Sequence, residues 1–144
     1  MTNDHLATAS TTIAATPDVV WNTLTDPDLI AEWMLGSRVS TEWRVGSRIT
    51  WSGSYNGEDF EDHGTILDFQ PNTLLRTTHF SPSGGRQDIP ENYHTVTWRL
   101  TGSGGSTLLT LEQDNNPTEE SAEHSSANWQ SMLDGLRRVT ETRR

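Results

Sequence analysis

Residues 16–33 read TPDVVWNTLTDPDLIAEW. Thr16-Pro17-Asp18 and Asp26-Pro27-Asp28 each offer a cap residue, a proline suited to the first helical position, and an acid facing the positive end of a helix dipole. The spacing predicts two short helices. Val20, Trp21 and Leu24 form the apolar stripe of the first, and Leu29, Ile30, Trp33 and Met34 that of the second. Helices under about twelve residues are marginal in water, so both must be held by packing against something larger. Gly36 is placed to close the pair.

Outside this stretch the period is two. Residues 6–14 (LATASTTIA) read as a first strand. Val39, Thr41 and Trp43 alternate with polar neighbours, and Ile49, Trp51, Gly53 and Tyr55 do so after Gly46. Asn56-Gly57 is a two-residue hairpin signal, and a turn there sets Tyr55 against Glu58, Gly53 against Phe60, Trp51 against Asp62 and Ile49 against Gly64. Further strands are predicted at 64–69 and 73–80, with a loop SPSGGRQDIPEN after them. A second hairpin joins 93–101 to 106–113 through Gly102-Ser103-Gly104-Gly105. Pairing Leu100 with Thr107 then puts Trp98 opposite Leu109 and Val96 opposite Leu111, with one apolar and one polar face.

The chain closes with a long helical pattern. Asn116-Pro117-Thr118-Glu119 reads as its cap, and Trp129, Met132, Leu133, Leu136 and Val139 as its apolar stripe. Ala122, Ser125, Ser126 and Ala127 leave the first half of that side small. The fold class is therefore α+β: one strand, two short helices, about six strands, and a terminal helix long enough to cover the apolar face of the sheet.

At 144 residues, the length suits a single domain. The apolar fraction of 31% is low, but six Trp concentrate burial in a few large side chains. The formal charge of −10 argues against nucleic acid or an anionic membrane as partner. No apolar run is long enough to span a bilayer, and the first residues lack the regions of a signal peptide. The absence of cysteine excludes disulfides and thiolate chemistry and fits a cytoplasmic protein. The ten basic residues are all Arg, which fits mutational or environmental bias better than a binding role.

The opening IAATPDVVWNTLTDPDLIAEW (13–33), the middle GTILDFQPNTLL (64–75), TLLTLEQ (107–113) and NWQSMLDGL (128–136) resemble the START-related helix-grip (SRPBCC) superfamily. Within it the chain is most similar to homologues of the heat-shock-protein-90 ATPase activator and to polyketide cyclases. The resemblance runs from about residue 6 to 140. It departs at Asn128, where many relatives carry Gly, and at Arg76–Thr78, where many carry an aromatic. It implies a curved antiparallel sheet gripping the terminal helix, with a cavity between them and the short helices closing one end.

No catalytic signature sequence is present. The pairing that sets Leu75 against Trp98 also sets His79 against His94, and with Asp62 these are the candidate catalytic residues for a cyclase- or dehydratase-type enzyme. Two histidines without a nearby third ligand fall short of a metal site, and no metal or cofactor is expected. The charged run Glu58–His63 reads as an edge that resists aggregation. Trp33, Trp51, Trp98 and Trp129 come from four elements and converge between sheet and helix, which suits an aromatic-lined pocket. The candidate ligand contacts are Trp33, Met34, Trp51, Tyr55, Phe60 and His79. Trp98, Trp129, Met132 and Leu133 complete the set.

The leading expectation is a small hydrophobic or aromatic ligand; enzyme activity is the alternative. A chaperone partner ranks last: the resemblance implies that in the eukaryotic activators chaperone binding involves an additional domain, which is not expected in this chain. Oligomeric state, monomer or homodimer, stays open.

Overall fold

The computed structural model describes residues 5–143, except Asn56 and the side chain of Tyr55. β1 (His5–Ile13) leads into α1 (Pro17–Thr25) and α2 (Pro27–Trp33). β2 (Arg38–Thr41), β3 (Arg48–Tyr55), β4 (Glu58–Gln70), β5 (Leu74–His79), β6 (His94–Ser103) and β7 (Ser106–Asn116) follow, and α3 (Glu119–Arg143) ends the chain. The seven strands form one antiparallel sheet in the order β1-β7-β6-β5-β4-β3-β2. Helix α3 packs on it, so the helix-grip α+β architecture is the one the chain adopts.

The short helices start where the prolines place them. Asp26 accepts from the backbone N–H of Asp28 at 2.9 Å, a side-chain cap for α2. Thr16 makes no such bond to the backbone of α1, and its hydroxyl donates to the Asp18 carboxylate instead. Val20, Trp21, Leu24, Ile30 and Trp33 are all buried in the common core. Gly36 ends the pair at φ +87°, donating its N–H to Ala31 O at 2.7 Å.

The first hairpin has the register read from the sequence: Tyr55 pairs with Glu58, Gly53 with Phe60, Trp51 with Asp62 and Ile49 with Gly64. Of the Asn56-Gly57 turn, Asn56 lies outside the described residues; Gly57 sits at φ +80°. The strand predicted at 64–69 is not separate: it continues the hairpin arm as one 13-residue β4. β5 joins β4 from Ile66 onward, with an isolated bridge at His63–Phe80, so the charged start of β4 has β3 on one side only. Gly64 lies at this crossover, where an added Cβ would sit 1.8 Å from Thr78 O.

Two expectations are corrected. Leu100 pairs with Leu109, Trp98 with Leu111 and Val96 with Gln113, a register two residues away from the expected one. Gly104 and Gly105 both take positive φ, +58° and +86°, as a two-residue turn demands, so Ser103 and Ser106 extend the strands. Because the side-chain period is two, a slip of two leaves each residue on its predicted face. The cap of α3 is Thr118 rather than Asn116. Ser121 N donates to Thr118 Oγ1 and Thr118 N to Ser121 Oγ, at 3.0 and 3.1 Å. Asn116 still belongs to β7, where its amide donates to His5 O and Gln113 O.

Trp43 also departs from the simple alternation. β2 stops at Thr41, and Trp43 occupies a turn at φ +57° while packing near Phe69.

Candidate functional site

Between α3 and the concave sheet lies a cavity of about 330 Å³. Strand alternation supplies its floor. Trp51 on β3, Phe60 and Asp62 on β4, Thr77 and His79 on β5, and Trp98 on β6 share the inward face. Trp33 and Met34 at the end of α2 close one side, while Trp129, Met132, Ser125 and Asn128 face down from α3. Most of the remaining wall is aliphatic, including Leu24, Ile30, Val39 and Leu75.

The indoles are fixed by packing and by their single donors. Trp33 Nε1 donates to Thr23 O at 3.0 Å and Trp129 Nε1 to Gln113 Oε1 at 3.1 Å. Trp98 meets Trp33 and Trp129 edge to face, with centroids 5.8 and 5.7 Å apart. Such geometry sets electropositive ring edges against electronegative faces.

Besides the neutral polar side chains of Ser37, Thr77, Gln113, Ser125 and Asn128, the wall carries one pair of titratable groups. His79 Nε2 lies 3.0 Å from Asp62 Oδ2. A carboxylate can only accept, so the imidazole carries its proton on Nε2 toward Asp62. Asp62 Oδ1 and His79 Nδ1 are buried and have no hydrogen-bond partner. The Trp51 ring lies 5.1 Å from His79, tilted at 56°.

His94 pairs with His79 as expected, with ring centroids 6.4 Å apart. It does not form part of the cavity wall, and its Nδ1 donates to Asp114 O at 2.8 Å. Leu133 is fully buried in the core rather than on the wall. The side chain of Tyr55 lies outside the described residues. Of the small residues on α3, Ser125 reaches the wall; Ser126 instead accepts from Thr8 N at 2.9 Å, and Ala127 is exposed. Trp43, Gln113 and Asn128 line the cavity without having been singled out as contacts. Gln113 could have been found from the two-residue glycine turn, which places it opposite Val96.

A second polar cluster lies behind the site. His63 follows Asp62 in β4 and faces away from the cavity, with Nε2 3.2 Å from Asp88 Oδ2. The Tyr93 hydroxyl donates to the Asp88 carboxylate, and the Tyr93 ring stacks on Phe80 at 5.0 Å. This clasps the 81–93 loop to the outer sheet face. Among the described residues, no group of three or more His, Cys, Asp or Glu is arranged to hold a metal, and no helix is long and apolar enough to cross a membrane.

A family model described as activator of Hsp90 ATPase homologue 1-like protein matches residues 14–141. The solution structure of a protein from Cytophaga hutchinsonii is 43% identical, with a TM-score of 0.84 over 96% of this chain and 94% of that one. A protein of the dynemicin biosynthetic locus shares 21% identity and a TM-score of 0.80, covering 96% of this chain and 48% of that one. The Aha1 of Colwellia psychrerythraea, solved as a dimer, shares 21% identity and a TM-score of 0.71 over 94% and 96%. At such identity the last two bear on the fold alone. No curated protein matches.

Proposed function

The chain belongs to the family of activator of Hsp90 ATPase homologue 1-like proteins, and from that premise we propose that it binds a small hydrophobic or aromatic molecule between α3 and the concave sheet. The wall carries this reading. Trp33, Trp43, Trp51, Trp98 and Trp129 come from five separate segments and border one void of about 330 Å³. Protein interiors are otherwise close-packed, and a water occupies only roughly 30 Å³ of the liquid. A space this large and this apolar favours an organic occupant over scattered solvent.

Calorimetric titration with 1-naphthylmethanol tests the reading. Saturable one-to-one binding is expected, and Met132→Trp, which puts an indole into the void, should abolish it while the variant stays folded. Absence of saturable binding to the wild type, for this probe and for a panel of flat aromatics, contradicts the reading.

The Asp62–His79 bond favours a second reading, acid–base chemistry of the cyclase or dehydratase sort in the same cavity. Asp62 and His79 are the acid–base pair on the wall that could take up or release a proton. Deuterium uptake at the activated carbon of 1-phenylbutane-1,3-dione, followed by NMR, measures that step. The wild type should accelerate exchange and His79→Gln should return it to the buffer rate. Equal rates in the two proteins remove His79 from the chemistry.

A further inference from the structure

The polar atoms of the cavity narrow the class of ligand, given the binding reading above. On the wall, Asp62 is the one side chain of fixed formal charge among the described residues, and no Arg reaches it. Asp62 Oδ1 and His79 Nδ1 are buried without partners. In its neutral form His79 gives the Nε2 proton to Asp62 and presents a lone pair at Nδ1. Both orphan atoms are then acceptors. A buried acceptor without a donor is costly, so this pair is left short of hydrogen-bond donors rather than of acceptors.

We propose that the ligand is a cationic amphiphile, a protonated amine on an aromatic or alicyclic body, with its ammonium group seated at Asp62 and His79. An ammonium has three N–H donors and no acceptor, which suits a donor-poor pair whose carboxylate has no Arg or Lys beside it on the wall; a hydroxyl brings one donor. Side-chain surface remains open on both residues, 17% for Asp62 and 24% for His79, so the ammonium meets them at the wall. The surroundings agree in sign. Trp51 is paired with Asp62 across the hairpin, and Phe60 is the next inward residue on β4. Electronegative aromatic faces favour a cation in a desolvated site. The formal charge of −10 raises the local concentration of cations and disfavours anions. A carboxylate ligand would instead face Asp62 with no basic residue on the wall to balance it.

Three probes sharing one ring system test this: 1-naphthylmethylammonium, 1-naphthylmethanol and 1-naphthoate, titrated calorimetrically near neutral pH. The ammonium should bind about tenfold more tightly than the alcohol, with the carboxylate weakest. That ratio should persist when salt is raised, and Asp62→Asn should collapse it toward one. The wild-type ranking needs no variant and stands even where Asp62→Asn fails to fold. An alcohol that binds as tightly as the ammonium overturns the proposal while leaving the cavity reading in place. So does a preference that disappears in salt or survives in Asp62→Asn, since it would then arise from net charge. If none of the three binds, the proposal falls, and the cavity reading falls with it when the panel of flat aromatics also fails to bind.

Discussion

Tyr93 shows how one residue can report on the loop behind the site. Its hydrogen bond to Asp88 raises the phenol above its ordinary value of 10.0, with burial and the Asp88 charge acting in the same direction and Arg48 opposing them. The raised value means that the fold favours the neutral phenol. The stabilisation is therefore complete below the unfolded value and is lost as pH rises through the folded one. In an alkaline titration followed by tyrosinate absorbance, the step removed by Tyr93→Phe should lie above the ordinary range, and Asp88→Asn should bring it down. A Tyr93 step that does not move in Asp88→Asn contradicts the assignment. Legibility at this scale was uneven. The side of β4 that Asp62 occupies followed from the Asn56-Gly57 signal alone. Its bond to His79 needed the crossover of β4 onto β5, which includes a register shift between Ile66 and Asp68 that no local pattern announces.

Among the elements, β4 carries the most topological weight, because it leaves β3 and joins β5 within one strand. Gly64 makes that crossover: its missing Cβ is the space taken by the Thr78 carbonyl, and the clash involves backbone that cannot rotate away. Gly64→Ala should cost about 1–3 kcal/mol, read as a lower denaturation midpoint, and it should also loosen the Asp62–His79 pair. A midpoint equal to wild type contradicts the close approach. At the far edge of the sheet, β1 is blunted by α3. Gln130 accepts from Ser10 N and donates to Ser10 O, and Ser126 accepts from Thr8 N. Such contacts occupy backbone groups that would otherwise invite another strand. The element order was readable because helix and strand periods differ and each turn has its own residues. The slip of two in the β6–β7 hairpin was not. Gly102 and Gly105 look alike in sequence, and alternation is blind to even shifts.

For the whole molecule, the fold and the indoles converging between sheet and helix were legible, while the exact wall of the cavity was not. A void belongs to the packing and not to any one residue: Met132 lines it while its neighbour Leu133 is sealed in the core, although both sit on the predicted apolar stripe. The convergence of four indoles is legible, but alternation places Trp43 in a strand, whereas it enters the wall from the β2–β3 connection. The sixth indole supplies an internal control. Trp21 packs edge-on against Phe69 at 5.3 Å and does not border the cavity. The most direct test of ligand binding is therefore an NMR titration of the indole N–H signals with 1-naphthylmethylammonium and 1-naphthylmethanol. The signals of Trp33, Trp51, Trp98 and Trp129 should shift together and saturate with one affinity, while Trp21 stays in place. Signals that stay fixed throughout, or a Trp21 shift matching the others, would contradict a ligand held between α3 and the sheet.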